Sequence, residues 1–127
     1  ELWVPQDPGL WCKPKIVFPD ISEKPKFWID LDGNIVNGEC YWITPNNTED
    51  SELLWLCLAV ANSKFIEIFY DYKFNNKLYS GKRRFIKQYV EEFPLPNPSL
   101  DSSKELIALS KNIYQETQDF YQRKTLI

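Results

Sequence analysis

At 127 residues the chain is one domain's length, long enough to bury a core without disulfide or metal staples. Hydrophobic residues make up 43% and aromatic residues 16%, which excludes a disordered tail. The net charge of −3 argues against nucleic-acid binding as a sum, so the distribution of charge along the chain has to decide that question.

Residues 1–13 carry Pro5, Pro8, Gly9, Trp3 and Trp11, and read as an irregular lead-in or linker ahead of a domain over 14–127. Residue 1 is Glu, so a processed or excised piece of a larger protein is expected. Lys15 to Phe18 is β-branched and aromatic and predicts a strand, which Pro19-Asp20-Ile21-Ser22 breaks. Lys26 to Leu31, then Asp32-Gly33-Asn34, then Ile35-Val36 predicts a β-hairpin, since Asp-Gly supplies the positive φ of a tight turn. Glu39 to Thr44 is a further strand, and Asn46-Asn47-Thr48 a loop. Asp50 or Ser51 is the expected N-cap of an apolar helix carrying Leu53, Leu54, Leu56, Cys57, Val60 and Ala61. Asn62-Ser63 interrupts that helix and caps a second, Lys64 to Tyr72, whose Phe65, Ile66, Phe69 and Tyr70 recur at helical spacing. Those aromatics are read as core rather than as a base-stacking platform.

Phe74 to Gly81 is loop-like, and Phe85 to Phe93 is open between strand and short helix. Pro94, Pro96 and Pro98 end any regular element. Ser102-x-x-Glu105 has the form of a capping box. A long amphipathic helix follows, with Leu106, Leu109, Ile113, Thr117 and Phe120 on one face. That stripe is expected to pack on its own domain, although its spacing also suits pairing with another helix. The fold class is therefore α+β (mixed α/β): a small sheet with a hairpin early, central helices, and a long helix last.

Much chemistry is absent. The chain has no His, which removes His-based triads, His-ligated zinc sites and imidazole bases. Gly9, Gly33, Gly38 and Gly81 are scattered and form no phosphate-cradling loop. Asp7-Pro8-Gly9 and Asn97-Pro98-Ser99 lack the second proline and the aromatic of an adenine-methyltransferase motif. No catalytic, cofactor or metal site of the chain's own is therefore expected. Cys12, Cys40 and Cys57 are odd in number and widely spaced, and read as thiols in a reducing cytoplasm. Asp30-Leu31-Asp32-Gly33 reads as a hairpin turn rather than a calcium loop. A magnesium nuclease cluster of Asp20, Asp30 and Asp32 lacks its usual lysine-bearing partner motif. The longest apolar run, Leu53 to Val60, is about half of what a membrane span needs.

The informative stretch is Lys73 to Gln88. It holds Lys73, Lys77, Lys82, Arg83, Arg84 and Lys87, with no acidic residue between Asp71 and Glu91. Phe74, Tyr79, Phe85 and Tyr89 and the polar Asn75, Asn76 and Ser80 are interleaved. Phosphates need mobile cations, and base edges need Arg, Asn, Gln or Lys donors and acceptors. Composition leaves two readings open, a DNA-contacting surface or a solvated basic loop on an acidic protein. A second cluster, Lys13, Lys15, Lys24 and Lys26, is diluted by Asp20 and Glu23.

The ordered series of segments then adds a resemblance. It runs Lys15-Ile-Val-Phe-Pro-Asp-Ile-Ser, Lys26-Phe-Trp-Ile-Asp-Leu-Asp-Gly, Cys40-Tyr-Trp-Ile-Thr-Pro, Leu58-Ala-Val-Ala-Asn-Ser-Lys64, and Gly81-Lys-Arg-Arg-Phe-Ile-Lys-Gln-Tyr-Val-Glu-Glu-Phe-Pro-Leu-Pro96. This resembles the TaqI-like C-terminal specificity domain of adenine-N6 DNA methyltransferases and related restriction-modification enzymes, over residues 14 to 121. Specificity subunits of type I systems share its late part. Ala61 departs from the leucine expected before Asn62-Ser63, at a position read as packing. The resemblance implies a domain that reads double-stranded DNA. A separate catalytic domain of the same parent chain would bind S-adenosylmethionine and methylate a flipped adenine. It further implies DNA contacts at Lys82, Arg83 and Arg84 beside Gly81, with Arg83 and Arg84 forking onto guanine or phosphate. Lys77 and Lys87 are expected on phosphates, and Lys15 and Lys26 are secondary candidates. Asn62-Ser63 and Pro94-Leu95-Pro96 are read as structural, a helix boundary and an extended exit. A bacterial, cytoplasmic setting follows; the alternative is a protein-interaction domain that pairs through its C-terminal helix, helix-mediated self-association included.

Overall fold

The computed structural model describes residues 13–33, 40–45, 51–75 and 77–125, with side chains as far as Tyr121. Among these residues five short strands and four α-helices follow in order: β1 (Lys15–Pro19), β2 (Ile21–Ser22), β3 (Trp28–Asp30), β4 (Cys40–Ile43), α1 (Ser51–Ala61), α2 (Lys64–Phe74), β5 (Arg83–Arg84), α3 (Lys87–Val90) and α4 (Asp101–Thr125). This is the mixed α+β class expected from the sequence.

β1 is the centre of an antiparallel sheet in the order β3-β1-β4. Being central, it is buried on both faces, and Lys15, Ile16, Val17 and Phe18 are all inside. Lys15 stands opposite Asp30 and Val17 opposite Trp28, while Ile16 faces Ile43 and Phe18 faces Tyr41. Gly33 takes the positive φ that the hairpin reading required of it, 74°. The Asp32 N–H donates to the Asp30 carboxylate at 3.0 Å, a local side-chain turn. The expected return strand Ile35-Val36 lies outside the described residues, as do the lead-in 1–12 and the Asn46–Thr48 loop. A second, two-stranded sheet pairs β2 with β5, Ile21 opposite Arg84 and Ser22 opposite Arg83. The Phe85 to Phe93 segment contains only the short α3.

α1 is apolar nearly all round because it lies between the sheet and α4. Asn62-Ser63 breaks it as predicted, and α2 leaves at 72° to α1. The Ser63 hydroxyl accepts the Ile66 N–H at 3.2 Å and donates to the Val60 carbonyl at 2.6 Å, closing one helix and opening the next. Asn62 does more than mark a boundary. Its side-chain oxygen accepts the Phe27 N–H and its amide donates to the Phe27 carbonyl, both at 2.8 Å. It substitutes for a neighbouring strand at the entrance to β3. The core joins Ile16, Phe18, Phe27, Ile29, Leu54, Ala61, Tyr70, Phe85 and Val90.

Two expectations for the last helix fail. The capping box does not form: the Lys104 N–H bonds to the Leu100 carbonyl at 3.1 Å, so the helix opens at Leu100 and Ser102 sits inside its first turn. Pro98 and the Asn97 side chain, which accepts the Ser99 N–H at 3.0 Å, set an earlier turn that moves the start forward. The predicted apolar stripe is also not the packed one. Ser103, Ile107 and Ser110 are buried, Tyr114 is half-buried, and the Tyr114 ring meets Trp55 of α1 at 5.5 Å. Leu106, Leu109, Ile113 and Phe120 stay exposed. The face that α4 turns inward therefore carries serines as well as Ile107 and Tyr114, and the Ser103 hydroxyl is satisfied there by the Asn97 carbonyl at 2.7 Å. Among the described residues no single helix is long and apolar enough to cross a membrane.

Candidate nucleic-acid interface

The basic segment folds as a return from α2 towards β2. Asn75 ends α2 in the left-handed region at φ 45°, its N–H reaching the Asp71 carbonyl at 3.1 Å. Lys77 bridges to Arg83 across the return, and the Leu78 N–H donates to the Lys82 carbonyl at 2.7 Å. Between them, Tyr79–Gly81 form a single 3-10 turn, with Ser80 at φ 71° and Gly81 at φ 74°. A Cβ on Gly81 would meet nothing within 4 Å, so the glycine serves its backbone angle and not close approach. The result is a narrow hairpin, 77–84, exposed over residues 77–82 and joined to β2 at its base.

Arg83 anchors this hairpin. Its Nε and Nη2 donate to the two carboxylate oxygens of Asp71 at 2.6 and 2.7 Å, a bidentate fork. Nη2 also reaches Glu67 at 3.4 Å, and Nη1 donates to the Glu23 carbonyl. Hydrogen bonding to Arg83, aided by the charges of Arg83 and Lys77 against a smaller cost of burial, holds the Asp71 carboxyl below its ordinary range. The same bond with Asp71 pushes the Arg83 pKa up. Beside it the Tyr70 hydroxyl, at the end of a fully buried ring, donates to the Arg84 carbonyl at 2.5 Å and accepts the Ile86 N–H at 3.4 Å. β5 is thereby fixed to α2 on one side and to β2 on the other.

The seven candidate cations separate into two groups. Lys15 is 0% exposed, bound to Asp30 at 2.5 Å and set over the Trp42 ring at 5.6 Å. The Arg83 side chain is 9% exposed and its fork is filled by Asp71. Both charges are paired inside the protein, so in this structure neither side chain lies on the surface that the expectation of DNA contacts at Lys15 and Arg83 supposes. The periodicity of a strand explains the difference between Arg83 and Arg84: successive side chains alternate, so one points in and the next out. Arg84 is half-exposed and 3.6 Å from Asp20. Lys77 is half-exposed and 3.5 Å from Asp71, and Lys87 is exposed and 4.0 Å from Glu91. Lys26 and Lys82 are exposed and form no ion pair among the described residues. Such surface pairs are worth about 0–1 kcal/mol, so these cations remain available to an anionic ligand.

The interleaved aromatics separate in the same way. Phe85 is buried, and Phe74 and Tyr89 stack on each other at 4.3 Å beneath the hairpin. Tyr79 alone of the four is turned fully to solvent, at 98% exposure. Nothing in the order of residues separates it from the others, since all four sit among cations. Asp20, Asp30 and Asp32 do not converge: among the described residues no group of three metal-ligating side chains exists. Asp30 is engaged by Lys15, and Asp20 faces Arg84.

Residues 3–95 match the family model for the TaqI-like C-terminal specificity domain. The chain is 42% identical over 120 residues to a type II methyltransferase, M.BanIII, of Aneurinibacillus aneurinilyticus. That alignment covers 94% of this chain and 21% of the relative, so the chain spans about a fifth of that relative's length.

Proposed function

Because the chain belongs to the TaqI-like C-terminal specificity domain family, we propose that it reads double-stranded DNA for adenine methylation carried out by a separate catalytic domain. That domain, in the same parent protein, would hold S-adenosylmethionine; this chain supplies recognition and register and no reacting group. Whether the parent also cleaves DNA does not enter the reading. The observation that carries it is the 77–84 hairpin, which is tied to the core by Arg83 and presents Lys77, Lys82 and Arg84 outward. Lys87, directly after it, and Lys26 extend the cationic surface. The protein is acidic overall, so this local concentration is what attracts phosphate.

The test is fluorescence anisotropy with a mixed-sequence duplex across a range of salt. Each phosphate contact adds about 0.9 to the slope of log K against log salt. Reversing both Lys82 and Arg84 to Glu is expected to weaken binding and flatten that slope by about 2. Unchanged affinity and slope in the double variant would overturn the assignment of the DNA face.

A second reading rests on the exposed Leu106, Leu109, Ile113 stripe of α4, which suits helix-mediated self-association. Sedimentation equilibrium decides it: a monomer at high concentration removes it, and a dimer abolished by Leu109→Glu and Ile113→Glu supports it.

A further inference from the structure

Tyr79 is the most exposed of the large hydrophobic side chains among the described residues, and it occupies the tip of the cationic hairpin. It makes no ring contact or hydrogen bond with any described residue, so no packing role accounts for an aromatic there. The turn that holds it is set by two consecutive residues of positive φ, one of them Ser80, which lacks the freedom of glycine. A left-handed serine carries local strain that an ordinary surface loop would shed, and such strain collects at sites that must present a group in one geometry. Below the tip the two arms are joined by the Leu78 to Lys82 bond and the Lys77–Arg83 bridge, and Arg83 holds the base. The tip is therefore a preset, two-stranded projection with an aromatic at its end and Lys82 and Arg84 on its flank.

A two-stranded ribbon fits the major groove of B-form DNA, about 12 Å wide, and not the minor groove of about 6 Å. A tyrosine ring offers an apolar face to a thymine methyl, and its hydroxyl can donate to or accept from base edges. It does so with few rotatable bonds to immobilise. Resting on the DNA-recognition reading above, we infer that Tyr79 enters the major groove and contacts the base edges of one or two adjacent pairs, with Lys82 and Arg84 on the flanking phosphates.

The experiment selects bound duplexes from a pool randomised over two helical turns, using the 127-residue chain as wild type, Tyr79→Ala and Arg84→Glu. Since Tyr79 is 98% exposed, Tyr79→Ala is expected to melt with the wild type and to keep its salt slope on the unselected pool. It is expected to lose about five- to tenfold preference at one or two adjacent positions of the wild-type motif. Arg84→Glu should instead weaken binding evenly across sequences. The same motif at the same strength in Tyr79→Ala overturns this inference and leaves the DNA-recognition reading standing. So does a wild type that binds the pool and selects no motif, or a Tyr79→Ala that binds all sequences equally more weakly. A wild type that does not bind the pool at any salt removes both.

Discussion

Arg83 offers the sharpest test of how this domain is assembled, since its position in sequence suggests a DNA contact and its geometry an internal anchor. Arg83→Ala deletes a bidentate pair with Asp71 at 2.6 and 2.7 Å and a bond to the Glu23 carbonyl. It leaves the Asp71 carboxylate without its main partner, while Glu67 keeps Lys64 at 3.3 Å. Removing one member of a buried pair costs about 3–5 kcal/mol. The Asp71 side chain is 25% exposed and water can reach it, which places the expected loss at the lower end. A loss of about 3 kcal/mol corresponds to a Tm lower by about 12 °C for a domain of this size. Urea unfolding should show a lower midpoint at an unchanged m-value, the mark of lost stability rather than altered compactness. A double-mutant cycle with Asp71→Asn should return a coupling of about 2 kcal/mol, since the two residues meet directly. Arg83→Lys keeps the charge but loses the fork, and should fall between the wild type and Arg83→Ala. A change in Arg83→Ala below about 0.5 kcal/mol, normal for a surface substitution, would refute the anchor and return Arg83 to the DNA-facing set.

Further outcomes follow from the same geometry. Asp71 has a folded-state pKa below its usual value, so its contribution to stability is complete above the ordinary aspartate pKa of 3.8 and fades as pH falls through the folded value. Asp71→Asn should remove that acid-side component from the dependence of urea midpoint on pH. Asn62→Ala strands both polar groups of Phe27 and should cost about 2–4 kcal/mol, read by urea unfolding. Lys15→Ala leaves Asp30 buried without its partner and should cost about 3–5 kcal/mol, whereas Lys15→Met with Asp30→Leu should be close to neutral. Burial pushes the Cys57 thiol pKa up, so Cys57 should react with a thiol reagent at pH 8 far more slowly in the native than in the unfolded chain, as followed by mass spectrometry.

Residue chemistry by itself determined the features that depend on near neighbours. Asp32-Gly33 required a positive φ, Asn62-Ser63 ended one helix and began another, and β-branched and aromatic runs placed strands before helices. The resemblance carried by ordered segments led to the family, because it drew on the whole series rather than on any one contact. Tertiary structure decided which members of equivalent sets face inward. Arg83 and Arg84 are the same residue in adjacent positions, and only the site of Asp71 on α2 makes one an anchor and leaves the other outside. Of the two candidate stripes of α4, the one bearing Ser103, Ile107, Ser110 and Tyr114 faces inward although it is less hydrophobic, with Tyr114 against Trp55 of α1. Lys15 is one lysine of a basic cluster until Asp30 is seen opposite it in β3. Each of these outcomes depends on a partner distant in the chain, and composition and periodicity carry no record of such partners.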